Sequence, residues 1–158
     1  MTHIRTTHVG SLPRSQEVTD FLFSKEKNQA YNSTHFDEVM KKHVDLIVSR
    51  QKDCGIDIVS DGETSKISYA TYVKDRYTGF SGDSPRNAPE DLKMFPSFLE
   101  RIANSGGTPE YARPMCIGEV KVLDHSELKK DISNLKNSMD LHKANRGFMN
   151  AASPGVIS

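Results

Sequence analysis

Apolar positions recur most regularly between Ser33 and Gly55. Phe36, Val39, Met40, Val44, Ile47 and Val48 fall at a spacing near 3.6 residues, with Lys and Arg on the other side. The pattern predicts an amphipathic helix. Thr34 is the expected N-cap, Asp37 sits in the first turn where negative charge suits the helix dipole, and Gly55 is the expected stop. A shorter helix is predicted over 15–29, with Val18, Leu22 and Phe21 on one face. A third is predicted over 125–145, capped by Ser126, with Leu128, Ile132, Leu135 and Met139 as its apolar face. The segment 95–107 reads as a short helix closed by Gly106-Gly107.

Between these helices lie short runs with strand character. The stretch HIRTTHVG reads as a first strand ending at Gly10, and Ile56, Ile58 and Val59 make a second that stops at Asp61-Gly62. Residues 112–124 alternate loosely and read as one or two strands, and GFMN opens a last one. Residues 64–113 are mainly irregular: an aromatic stretch, then a Gly, Ser and Pro-rich loop. A long helix, a glycine, a short β-branched strand and a polar tip form the αβ half of a parallel-sheet unit. The fold class expected is therefore α/β. In parallel α/β folds the loops after the strands converge on one side, where ligands bind. Here those loops are HVGS, SDGE and NAASPG.

Composition narrows the chemistry. Lys plus Arg and Asp plus Glu both total 21, so no excess positive charge points to nucleic acid or an anionic membrane. No apolar run approaches the ~18 residues of a membrane span, and the N-terminus lacks a signal peptide's apolar core, which points to the cytoplasm. Hydrophobic residues make up only 35% of the 158, lean for a chain that closes a globule unaided. Cys54 and Cys116 are expected to be free, buried thiols and not metal ligands. His43, on the long helix, is expected at the surface or as a satisfied core histidine.

Three blocks carry a family resemblance: TTHVGSLPRS, then Gln-x-x-x-Gly-Ile-Asp-x-x-x-Asp-Gly-Glu ending at Glu63, then SPGV. In this order and at these separations they resemble the cobalamin-independent methionine synthase family, most closely its single-barrel, methionine synthase II-like members. The resemblance implies a (β/α)8 TIM-type barrel, of which 1–158 would be one partial domain: about the first three of eight βα units, incomplete in this chain, with an irregular insertion at about 64–113. It implies a zinc-dependent methyltransferase that moves a methyl group from a methyl-folate to the thiol of homocysteine. Val9, Gly10 and Ser11 would hold the carboxylate of the amino acid and Glu63 its ammonium. By their own chemistry, Asp61 could orient Ser11 or Arg14 through charge-assisted hydrogen bonds, Arg14 could instead form a barrel-mouth ion pair, and His8 could pack at the barrel mouth or point into the site. Tyr69, Tyr72, Tyr77 and Phe80 are expected to pack an excursion against the barrel rather than stack on a pterin.

The family's zinc ligands, a His-x-Cys pair, a glutamate and a distant cysteine, fall beyond the region that corresponds to this chain. No metal ligands are expected in it, and no catalytic residue; alone it is expected to be inactive. Two rival readings follow from the same residues. One is an alkyltransferase with another donor or a thiol acceptor resembling coenzyme M. The other is a truncated, non-catalytic piece that forms homo-oligomers through an exposed sheet edge.

Overall fold

A computed structural model describes residues 3–84, 90–104 and 114–153. The described elements run α1 (Gln16–Glu26), α2 (Ser33–Asp53), β1 (Val59–Ser60), α3 (Tyr69–Lys74), β2 (Phe80–Ser81), α4 (Glu90–Lys93), α5 (Pro96–Asn104), β3 (Met115–Cys116), α6 (Ser126–Leu141) and β4 (Gly147–Phe148). Helices and parallel strands alternate around β1, so the chain is α/β.

Helix α2 is the axis. All six of its predicted apolar residues are buried, and all but Ile47 divide between two clusters. Phe36, Val39 and Met40 pack with Val18 and Leu22 of α1. Val44 and Val48 pack with Val59 of β1, Leu135 of α6 and Ala144. Burying side chains of this size stabilises by about 1.5–3 kcal/mol each, so the period of α2 joins helix layer to sheet. The N-cap is Asn32, whose side chain accepts from the His35 amide at 3.1 Å, in place of the expected Thr34. Asp37 accordingly lies past the first turn and pairs with Lys130 of α6 at 2.8 Å. Gly55 ends the helix as expected, at φ 77°, a left-handed conformation that glycine adopts freely.

Three chain segments run parallel. Thr7 bridges Ile58, and β1 pairs with β4 in the register Val59–Gly147 and Ser60–Phe148. The expected first strand is thus a single bridge. The Ile58 amide donates to the Thr6 carbonyl, and the Asp57 carboxylate accepts from the Thr6 amide at 2.7 Å. One step further, at Ser60, a side chain replaces the ladder. Buried Gln51 donates to the Ser60 carbonyl at 2.8 Å and accepts from its amide at 3.0 Å, which leaves residues 8–11 free to turn away. At Gly147 a Cβ would stand 2.5 Å from Met139 Sδ, so the end of that side chain would have to shift to admit one.

Helix α6 lies along α2. Ser138 Oγ donates to Asp45 at 3.0 Å and His142 contacts the same carboxylate at 2.9 Å. Its buried residues are Leu135 and Ser138, whereas Leu128 and Ile132 are each 37% exposed, a correction to the predicted face. The apolar stripe drifts around the helix, so its first half lines an open hollow with Tyr77 and Met149. His125, not Ser126, occupies the N-cap position, and Asp124 accepts from the Ser126 amide.

The segment after residue 64 is more regular than predicted. Helix α3 is closed by a capping box between Ser68 and Thr71. β2 and β3 form an antiparallel pair, extended by a bridge between Tyr77 and Val122. Both cysteines are free and exposed, not buried: Cys54 is the C-cap of α2 and Cys116 lies on β3. Gly106-Gly107, the core of the Ser/Pro/Gly loop and Pro154–Val156 of the SPGV block fall outside the described residues.

Candidate functional site

Two glycine-containing tips meet directly after the parallel segments. The Leu12 amide donates to the Gly62 carbonyl at 3.0 Å, and Ser11 Oγ donates to Glu63 Oε2 at 2.8 Å. The second tip is a tight knot. Gly62 and Glu63 are both left-handed, at φ 60° and 54°. Asp61 Oδ1 accepts from the Glu63 amide at 3.1 Å, and its carbonyl accepts from the Thr64 hydroxyl at 2.8 Å. This turn lifts the Glu63 side chain from the end of β1 towards Ser11.

Glu63 is 9% exposed, and three neutral groups donate to its carboxylate. Ser11 serves Oε2, while the Tyr69 hydroxyl and the Asn150 amide serve Oε1 at 2.7 and 2.6 Å. Burial pushes the Glu63 carboxyl up. The hydrogen bonds from Asn150, Tyr69 and Ser11, with the Lys66 charge, outweigh it and hold the group below the usual glutamate range. The Tyr69 hydroxyl moves the other way, to about 12, through burial and its bond to this anion.

The nearby cations are engaged elsewhere. Lys66 pairs with Asp61 at 3.0 Å, both almost fully buried. Arg14 Nη2 donates to the Glu63 carbonyl at 2.6 Å and also to that of Lys66, while Nε donates to the Thr64 carbonyl at 3.1 Å. Arg14 thus clamps the backbone of the turn and leaves the carboxylate alone. The result is an ionised, nearly buried carboxylate with no cation in contact among the described residues, next to exposed Ser11 and Val9. Such an arrangement can receive a positively charged group.

A family described as "Cobalamin-independent synthase, Catalytic domain" matches residues 4–85, which hold both tips. The chain belongs to that family. Relatives named 5-methyltetrahydropteroyltriglutamate–homocysteine methyltransferase are similar to it. The one from Desulforamulus reducens is 29% identical over 75 residues, 48% of this chain and 10% of its own. The one from Corynebacterium glutamicum strain R is 23% identical over 147 residues, 80% of this chain and 19% of its own. This synthase-family chain therefore spans no more than about a fifth of either relative.

Of the residues singled out in the sequence, the structure brings together Ser11, Glu63, Arg14 and Asp61, with Gly10 at φ 105° in the bend before Ser11. Val9 stays 67% exposed. Asp61 bonds Lys66 and the Glu63 amide, not the side chains of Ser11 or Arg14 that charge alone suggested. His8 is half-buried and its Nε2 has no partner among the described residues. His43 is buried with Nε2 unpartnered among the described residues, so it is a core histidine that is not fully satisfied.

Tyr69 was expected to pack, yet it reaches the carboxylate, and Asn150 was not singled out at all. The signal available for Asn150 was its place just after the last strand. Among the described residues no group of three or more His, Cys, Asp or Glu could hold a metal ion. Cys54 and Cys116 belong to separate, exposed elements, so the donor set does not fit a zinc ion.

Proposed function

We propose that this chain is the amino-acid-gripping part of a methyltransferase that transfers a methyl group from a methyl-folate to homocysteine. In this reading residues 1–158 form a partial domain. The segments at Thr7, β1 and β4, with α2 and α6, are the opening βα units of a (β/α)8 barrel, and residues from about 64 to 113 are an insertion. Glu63 takes the ammonium of homocysteine. The backbone at Val9-Gly10 faces its carboxylate, and the Ser11 hydroxyl, whose one proton goes to Glu63 in the free chain, turns to that carboxylate when the ammonium takes its place. Arg14 and Asp61 hold the second tip in shape, and His8 precedes Val9 at the first.

One observation carries this reading: an ionised carboxylate whose hydrogen-bond partners among the described residues are all neutral donors, set beside an exposed serine at the end of parallel strands. A carboxylate already paired with Lys or Arg would have no charge to offer. Here Asp61 and the turn carbonyls hold those cations away. A thiol must be deprotonated before it accepts a methyl group, and in the family a zinc ion supplies that activation. The described residues offer no such ligand set, so the part proposed for them is to bind and orient, and the metal belongs to other parts of the family's longer proteins.

Isothermal titration of the chain with homocysteine, and with 4-sulfanylbutanoate, which lacks the amino group, tests this directly. The wild-type chain is expected to prefer homocysteine, and Glu63→Gln to lose that preference by about tenfold or more, as removing one charge partner implies. Equal affinity for both compounds, before and after the substitution, would contradict the assignment of Glu63.

A further inference from the structure

We infer that Asn150 and Tyr69 are positioning residues that saturate Glu63 Oε1 and leave Oε2 as the acceptor for the incoming ammonium; this rests on the reading of Glu63 as the ammonium's partner. Each carboxylate oxygen offers about two lone-pair sites. At Oε1 both are used, by the Tyr69 hydroxyl at 2.7 Å and the Asn150 amide at 2.6 Å. At Oε2 one is used, by Ser11 at 2.8 Å. The remaining site therefore lies on the Ser11 side, and Ser11 is exposed while Tyr69 and Asn150 are half-buried.

The two donors on Oε1 come from separate parts of the chain. Tyr69 is the first residue of α3, fixed by the Ser68–Thr71 capping box. Asn150 stands two residues past β4. Facing a carboxylate at 2.6 Å, the Asn150 side chain must present its NH2, because its oxygen would be repelled. With one oxygen held from two directions, the plane of the carboxylate is set before any ligand arrives. Because both donors are neutral, the group keeps its negative charge. The ligand class selected is a compact primary ammonium carrying one positive charge, as on a free α-amino acid. A guanidinium seeking both oxygens would meet an Oε1 already filled.

The test uses the chain itself. The Glu63 carboxyl carbon is followed by NMR across a pH titration in the wild type, in Asn150→Ala and in Tyr69→Phe, and each is then titrated with homocysteine and with 4-sulfanylbutanoate. Both substitutions are expected to move the Glu63 midpoint upwards and to weaken homocysteine about tenfold, with 4-sulfanylbutanoate little changed. Tyr69→Phe removes only a hydroxyl, so it decides the matter if Asn150→Ala disturbs folding. Unmoved midpoints in folded variants overturn the positioning role. Moved midpoints in a chain indifferent to homocysteine support the clamp on Oε1 and overturn the ammonium as its purpose.

Discussion

Glu63 is a non-glycine residue in left-handed backbone, directly after Gly62 in the same region. Such conformations cost a side-chain-bearing residue about 1–2 kcal/mol, and here the surroundings impose them. The Asp61 carboxylate, three Arg14 bonds and the Leu12 amide all converge on residues 61–66. Gly62 has no freedom to change. A Cβ on it would stand 2.9 Å from Ile47 Cγ2 and 3.1 Å from the Leu12 Cβ, at φ 60°. Gly62→Ala is expected to destabilise the chain by about 2–4 kcal/mol, from backbone strain and overpacking together, read by urea unfolding. The places of the Asp-Gly-Glu and Gly-Ser tips were legible in sequence because Gly, Ser and Asp after a β-branched run end a strand in a turn. The Oε1 donors were not, because Tyr69 looks like any packing aromatic and Asn150 is 87 positions from Glu63.

At the scale of elements, α2 was legible almost throughout, since six apolar residues at helical spacing leave one face to bury. Its cap moved by two residues because Asn32 and Thr34 both bear suitable side chains, and the extended backbone falls at Asn32. The strands were legible as locations but not as lengths. Gln51 explains the difference: its side-chain amide satisfies Ser60 where a neighbouring strand would otherwise be needed. Gln51→Leu keeps the bulk and abolishes both bonds, leaving a buried amide and carbonyl unpaired. A loss of about 2–4 kcal/mol is expected in thermal or denaturant unfolding, against under about 0.5 for a substitution at exposed Lys52. Helix α6 misled because its stripe of Leu and Ile continues past the part that α2 covers.

For the molecule as a whole, His43 lies buried on α2, between the residues that α2 gives to its two clusters. Burial pulls its pKa below 6.5. The Pro13 carbonyl opposes this, and the Arg14 and Arg50 charges add to it. A histidine lowered in this way takes up its proton more readily when unfolded. Its contribution is therefore whole above 6.5 and declines as pH falls from there towards the folded value. Unfolding free energies of the wild type should fall more steeply below neutrality than those of His43→Gln, which cannot titrate. Parallel curves would remove His43 from that account. The α/β class was legible from the alternation of elements, and both tips from their residues; what required coordinates was which oxygen each donor meets.

The central claim is that the two tips clasp opposite poles of one amino acid. A crystal structure of the chain with homocysteine measures this most directly. The amino nitrogen is expected within hydrogen-bond distance of Glu63 Oε2 and the carboxylate against Gly10 and Ser11. Homocysteine bound away from both tips, or with its carboxylate turned towards Glu63, would contradict it.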